Sequence, residues 1–247
     1  MNVSVCMTTY NGEKYIFEQL SSIIGQLGSD DEVIICDDGS RDLTVEIING
    51  FNDKRIKLFK NEKNLKHVKN FEKAIGLSSN EIIILSDQDD RWAADKVDFI
   101  KGFFINNTKF DYFHHNFNLM NDDGDVYDFG ANKVKDSYNQ LNLVSKYFSS
   151  LIKSHYYGSC LAFRRHRLDT ILPFPVHTYA HDHWISICGL LEGSIYSSNR
   201  SLIDYRQHSS NVTPKNGLKF SSKLVVRMKL LLMTLVWFCR KKVDNYV

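Results

Sequence analysis

Short apolar runs alternate with helix-spaced apolar residues through the first hundred positions, and three of those runs stop at polar loops, two of them acidic. Val3–Thr9 (VSVCMTT) is β-prone and closes at the turn pair Asn11-Gly12. Ile16, Leu20, Ile23, Ile24 and Leu27 then repeat at helical spacing and end at Gly28. Glu32–Cys36 (EVIIC) has the continuous apolarity of a buried strand and halts at Asp37-Asp38-Gly39-Ser40. Leu43, Ile47 and Ile48 suggest a second helix, and Arg55–Phe59 (RIKLF) alternates like a strand nearer a sheet edge. A third helix carries Phe71, Ala74 and Ile75. Glu81–Leu85 (EIIIL) follows, stopped by Ser86-Asp87-Gln88-Asp89-Asp90, and a further helix is expected to carry Trp92, Val97, Ile100 and Phe104. This alternation predicts βαβ units and a mostly parallel α/β sheet, Rossmann-like and flanked by helices. Strands apolar throughout suit a sheet covered on both faces. Beyond Phe110 the pattern loosens, with a turn expected at Asn121-Asp122-Asp123-Gly124, and no linker or repeat interrupts it.

In an open parallel sheet the loops at the carboxyl ends of the strands converge on one crevice. Aspartate after a strand is common in any protein, because it favours turns and caps the next helix. Three polar strand ends in one series of βα units, Thr9-Tyr10-Asn11-Gly12 and the two aspartate clusters, point instead to a site. The carboxylates of Asp37, Asp38, Asp87, Asp89 and Asp90 on one edge repel each other unless a cation neutralises them. The Asp87-x-Asp89 pair offers hard oxygen ligands suited to Mn²⁺ or Mg²⁺ that keeps room for phosphate oxygens.

Composition narrows the alternatives. With 43% hydrophobic and 13% aromatic residues a sizeable core can form, and a net charge of +2 does not suggest a nucleic-acid partner. Cys6, Cys36, Cys160, Cys188 and Cys239 are odd in number and form no C-x-x-C pair, which favours a reducing compartment. No signal peptide is expected, and no run reaches the roughly 18–20 apolar residues of a membrane span. The expected location is cytoplasmic, with peripheral binding to the inner face of the plasma membrane through the C-terminus.

The segments VSVCMTTYNGEKYI, VIICDDGSRDLT and IIILSDQDDRW resemble the family 2 glycosyltransferases, inverting enzymes with the GT-A fold. The resemblance resumes at His181-Asp182-His183-Trp184 and at Tyr205-Arg206-Gln207-His208. SDQDDRW and YRQHSSNVT look closest to the rhamnosyltransferase-like branch that builds bacterial surface polysaccharides. The resemblance implies a nucleotide pocket lined by Thr8, Tyr10 and Glu13, with Asp38 accepting from the imide N–H of the base. It implies Asp87 facing the ribose, Asp89 and His208 as metal ligands, and Lys69 near a nucleotide-contacting Arg of the family. Asp182 matches the catalytic base, although relatives often carry Glu where His181 stands. The implied reaction moves a sugar, L-rhamnose in the branch it most resembles, from a UDP- or dTDP-linked donor to a hydroxyl of a glycan or lipid-linked saccharide. The domains expected are 1–213 for the transferase, with 1–100 holding the donor and 101–213 the acceptor, and 214–247 as a basic amphipathic helix.

Other features are less pointed. His181-x-His183 would share a face on a strand, but no third ligand follows at zinc-like spacing. His114, His115 and His155 carry no spacing signal, and Tyr156, Tyr157 and Trp184 suit a core. Near the C-terminus, Lys223, Arg227, Lys229, Arg240, Lys241 and Lys242 flank or interrupt the apolar stretch Leu224–Cys239. Such a helix fits either an anionic membrane surface or packing on the domain or a partner subunit. A sugar nucleotidyltransferase or phosphoryl-transfer enzyme would also gather acids around Mg²⁺, but neither Gly-rich phosphate-loop motif is present. A non-catalytic carbohydrate-binding protein is the remaining alternative on such a scaffold.

Overall fold

The computed structural model describes residues 1–127, 133–152, 156–209, 211 and 220–244. Its first half follows the sequence pattern closely. Strands β1 (Val3–Thr9), β2 (Glu32–Asp37), β3 (Ile56–Lys60) and β4 (Ile82–Ser86) are separated by helices α1 (Ile16–Ile24), α2 (Thr44–Gly50) and α3 (Lys66–Gly76). β1 pairs in parallel with β2 and with β4, and β2 in parallel with β3. The β3-β2-β1-β4 half of the sheet is therefore parallel, with β3 at its edge.

Alternation along these strands divides the core in two. Val3, Val5 and Met7 of β1 pack with Ile16, Leu20 and Ile23 of α1 on one face, while Cys6 packs with Phe71, Ala74 and Ile75 of α3 on the other. Burying both faces is what the unbroken apolar strands require.

The second half completes the sheet with mixed pairings. After β5 (Arg91–Trp92) and α4 (Lys96–Asn106), strand β6 (Tyr112–Met120) runs antiparallel to β8 (Leu161–Arg164), which itself lies antiparallel to β4. The two-residue β7 (Val126–Tyr127) pairs with β6 across the expected turn, where Gly124 has φ +95°. Helices α5 (Leu143–Ile152), α6 (Leu168–Ile171) and α7 (His181–Leu191) precede β9 (Ile195–Arg206), and α8 spans Phe220–Asp244. β9 is parallel to β6 and antiparallel to β5.

Trp92 corrects one expectation: it belongs to a strand, not to the following helix. Its backbone pairs with Ile203, its N–H donates to Ser22 Oγ at 3.1 Å, and α4 begins only at Lys96. The apolar spacing from Trp92 to Val97 reflects a shared core, not a shared helix.

The C-terminal helix packs on the domain through one face. Leu230, Met233 and Trp237 are buried, Arg240 donates to the carbonyl oxygens of Thr170 and Pro173, and Lys241 reaches Thr170 Oγ1 at 3.2 Å. The opposite face leaves Leu224, Met228, Leu231, Leu235 and Phe238 exposed. No helix among the described residues is long and apolar enough to cross a membrane. The side chains of Lys223 and Lys242, the whole of His155 and the expected boundary at 213/214 lie outside the described residues.

Candidate active site

The loop after β1 and the two acidic loops after β2 and β4 leave the same edge of the sheet, because these strands run in one direction. Within them the aspartates divide into those that build the loops and those that face the crevice. Asp37 is structural. Its Oδ1 accepts the N–H groups of Gly39 and Ser40 at 3.1 and 2.9 Å, and its Oδ2 accepts the Thr9 and Ser40 hydroxyls. Asp38 is buried against the entry to α3. Its Oδ1 accepts from Asn61 Nδ2 (2.9 Å) and the Leu65 N–H (2.7 Å), and its Oδ2 from the Lys66 N–H (2.8 Å). A carboxylate offers roughly four acceptor directions, so these three bonds leave one on Oδ2.

The first loop is clasped to the third. The Tyr10 N–H donates to Gln88 Oε1 at 2.9 Å, and Gln88 Nε2 donates back to the Tyr10 carbonyl at 3.2 Å. Gly12 lies so close that a Cβ there would collide with the Gln88 side chain. Thr8 is half-buried at the end of β1, paired with Cys36, and the Tyr10 ring is half exposed beyond it. Glu13 turns towards α2 instead, its Oε2 accepting the Leu43 N–H at 2.9 Å. Lys69 lies on α3, half exposed, with its ammonium held by Glu72 at 2.5 Å.

The third loop carries the strongest electrostatics. Burial pushes the Asp87 carboxyl up to about 7, and the negative charges of Asp89 and Asp182 push in the same direction. Asp90 is buried more deeply, and burial with the neighbouring acids Asp89 and Asp87 raises it well above the carboxylate range. Lys96, also buried, donates to the Ser159 carbonyl at 2.9 Å and lies 4.0 Å from the Trp92 ring centroid. Burial lowers its ammonium to about 7, against the pull of Cys160, Asp90 and Asp87. Asp89 points at the end of β9: its Oδ2 lies 2.9 Å from His208 Nε2.

Asp182 approaches from the far side of the chain. It sits in the first turn of α7, half-buried, with Oδ1 accepting the His183 N–H at 2.7 Å. Its charge reaches both Asp87 and His67, which brings the α7 N-terminus to the crevice. Preceding it, His181 is buried and stacked on Phe71 at 3.9 Å, and burial lowers its imidazole to about 4. Gly158 makes room for that ring, since a Cβ there would collide with Nε2. The alternative in which His181 and His183 share a strand face does not arise, because both lie on a helix. Positions two apart on a helix point away from each other, and His183 packs beside Tyr179 instead. Trp184 and Tyr156 are core residues.

Asp89 and His208 fit a divalent cation. A hard carboxylate and an imidazole converge within hydrogen-bond distance, and such an ion usually takes its remaining ligands from substrate phosphates and water. Among the described residues no cluster of three such ligands exists, so a cation here depends on the donor's own oxygens.

Sequence reasoning missed Gln88, Lys96 and Arg206, which hold this edge together. Each is polar and buried or clasped by the fold, and none sits at a spacing that marks it in advance.

The model of Glycosyl transferase family 2 matches residues 4–171. Escherichia coli WfgD, a UDP-Glc:alpha-D-GlcNAc-diphosphoundecaprenol beta-1,3-glucosyltransferase, is 35% identical over 142 residues, covering 56% of this chain and 54% of WfgD. The dTDP-rhamnosyl transferase RfbG of Shigella flexneri is 38% identical over 98 residues, covering 37% of this chain and 34% of RfbG. This chain thus spans about half, or less, of the length of these two relatives. The crystal structure of S. aureus TarS 1-349 in complex with UDP-GlcNAc superposes with a TM-score of 0.69 at 19% identity, covering 97% of this chain and 72% of that one. That likeness is one of fold, the GT-A fold.

Proposed function

The chain belongs to glycosyl transferase family 2, and on that footing we propose that it transfers a sugar, with inversion, from a UDP- or dTDP-activated donor to a hydroxyl of a lipid-linked, growing cell-surface glycan. The observation that carries this reading is the meeting of Asp87, Asp89 and Asp182 at one crevice, with His208 against Asp89. Three acids from two distant segments form an arrangement that helix capping and turn formation do not require.

The chemistry of each residue then sets its role. Asp38 receives the imide N–H of uracil or thymine on its remaining Oδ2 direction, with Thr8 and Tyr10 lining the same pocket. Glu13 shapes that pocket indirectly, by tying the first loop to α2. Lys69, on the helix whose first N–H Asp38 accepts, serves the nucleotide as a long-range positive charge. Asp87 faces the ribose. Asp89 and His208 would hold Mn²⁺ or Mg²⁺, and that ion would stabilise the charge of the leaving group as a Lewis acid. Asp182 takes the proton of the acceptor hydroxyl as it attacks the anomeric carbon. Buried, weakly basic His181 does not compete for that proton.

Residues 1–100 serve the donor and residues 101–213 the acceptor in this reading. Asp38 does not separate uracil from thymine, because both present the same N3–H. The relatives are split in the same way: WfgD is named for UDP-Glc and RfbG for dTDP-rhamnosyl transfer. Thermal-shift measurements with Mn²⁺ and a panel of UDP- and dTDP-sugars test the donor class. Stabilisation by dTDP-rhamnose over the UDP-sugars is the rhamnosyl outcome and the reverse preference the UDP-sugar outcome. Indifference to the whole panel contradicts the proposal.

A lipid-linked acceptor also gives the outer face of α8 a place at the bilayer surface, on the inner face of the plasma membrane. Val144, Phe148 and Ile152 of α5, one turn apart, are exposed as well, and the two helices are joined by the Tyr147 hydroxyl against Thr234 Oγ1 at 2.7 Å. Deleting the helix would uncover Leu230, Met233 and Trp237, so surface substitutions make the cleaner test. The full chain is expected to co-sediment with phosphatidylglycerol vesicles, and a Leu231→Ser/Leu235→Ser/Phe238→Ser variant is expected to remain in the supernatant. Equal sedimentation of the two would remove the membrane from the proposal.

A further inference from the structure

Arg206 is the last residue of β9, two positions before His208, and its guanidinium is almost fully enclosed. Its contacts reach three separate parts of the chain. Nε donates to the Asp89 carbonyl at 2.9 Å, and its backbone N–H donates to Asp90 Oδ1 at 3.1 Å. Nη1 donates to the carbonyl oxygens of Asn121 and Asp122, at 3.4 and 3.2 Å, in the β6–β7 turn. Nη2 pairs with Glu18 Oε2 on α1. The guanidinium also lies over the Tyr15 ring, 5.0 Å from its centroid, and the same ring stacks with the His208 imidazole at 4.7 Å.

From this arrangement we propose that Arg206 is the positioning residue of the Asp89–His208 pair, fixing the two side chains relative to each other before a cation and diphosphate arrive. The proposal rests on the metal reading above. The clamp is reciprocal: Arg206 holds the main chain at Asp89, and the neighbouring Asp90 holds the main chain at Arg206. Between those anchors the Asp89 peptide cannot rotate without breaking a buried charge-assisted bond, and the His208 ring is guided by Tyr15. A planar fork with five N–H donors is what such a junction needs, whereas a lysine ammonium could satisfy only part of it. Glu18 supplies the counter-charge that seats the fork. Tyr15 is itself held, through its hydroxyl, by Asp122 of the same turn.

Groups that orient metal ligands typically govern affinity by about 10–100-fold. Binding of Mn²⁺ in the presence of UDP, read from the electron paramagnetic resonance signal of free Mn²⁺, separates positioning from simple stability. The full chain is compared with Asp89→Asn, Arg206→Lys and Glu18→Gln, alongside metal-free melting temperatures. Asp89→Asn is expected to abolish the binding, Arg206→Lys to weaken it about 10–100-fold, and Glu18→Gln to weaken it by a smaller factor. The last variant alters a partly exposed carboxylate, so it remains a test if Arg206→Lys does not fold. Wild-type Mn²⁺ affinity in folded Arg206→Lys or in Glu18→Gln, with binding lost in Asp89→Asn, overturns the positioning role while sparing the metal reading. Undiminished binding in Asp89→Asn removes both.

Discussion

Asp89→Asn is expected to lower sugar transfer by at least about 10²-fold and to abolish the stimulation by Mn²⁺, while the chain stays folded. The size follows from the chemistry of the leaving group. Lewis-acid stabilisation of a departing diphosphate is worth several kcal/mol, and each 1.36 kcal/mol is about tenfold in rate. The remaining ligand, His208, is a single imidazole, and no third protein ligand among the described residues stands by to replace the carboxylate. The fold should tolerate the change because, among the described residues, the Asp89 side chain supports no backbone group; the carbonyl of the same residue makes the structural contact with Arg206. The substitution also removes one of the charges that raise Asp87. The Asp87 carboxyl is therefore expected to become more acidic as metal dependence is lost. Initial rates at graded Mn²⁺ with the donor selected by thermal shift are the measurement; retained Mn²⁺ stimulation would remove Asp89 from the metal site.

The N-terminal half was legible because its information is local. β1, α1, β2 and α3 each bury a continuous or helix-spaced apolar set, so period alone outlines them, and parallel pairing then carries the three polar loops, two of them acidic, to one edge. The C-terminal half hides its strands. β6 (YFHHNFNLM) buries His114, His115 and Asn116, so its sequence lacks the apolar run of a central strand. Asn116 is accommodated by bonds from Nδ2 to the carbonyl oxygens of Val134 and Asn199, contacts spanning 18 and 83 residues that no local window contains. α7 was obscured for the opposite reason. Surrounded by core, it is buried from Trp184 to Leu190 on every side, and a helix apolar all round shows no amphipathic period.

The site shows the same division. Asp38, Asp87 and Asp89 stand out as acids that end strands, and Asp182 only through a family resemblance. Arg206 falls inside the resemblance at residues 205–208 without a role assigned to it, and Lys96 carries no mark, since the importance of both comes from burial beside acids distant in sequence. Lys69 stands near a nucleotide-contacting Arg of the family, yet its ammonium is engaged by Glu72 three residues on.

Asp182→Asn carries the largest expected effect. A positioned general base typically contributes about 10²–10⁴-fold, and Asn has the same shape with no basic oxygen pair. The side chain makes one local bond, to the His183 N–H, which the Asn carbonyl can also accept, so the start of α7 should survive. Donor binding should not suffer either. Asp182 adds negative charge to a crevice that must receive a diphosphate and already holds Asp87 and Asp89. Neutralising it leaves nucleotide affinity unchanged or improves it. The decisive measurement is therefore paired: calorimetric titration of wild type and Asp182→Asn with UDP and dTDP in Mn²⁺, beside the rate of transfer from the matching donor. A base at Asp182 predicts equal or tighter nucleotide binding together with a rate lowered about 10²–10⁴-fold. Near-normal turnover with intact binding would contradict it.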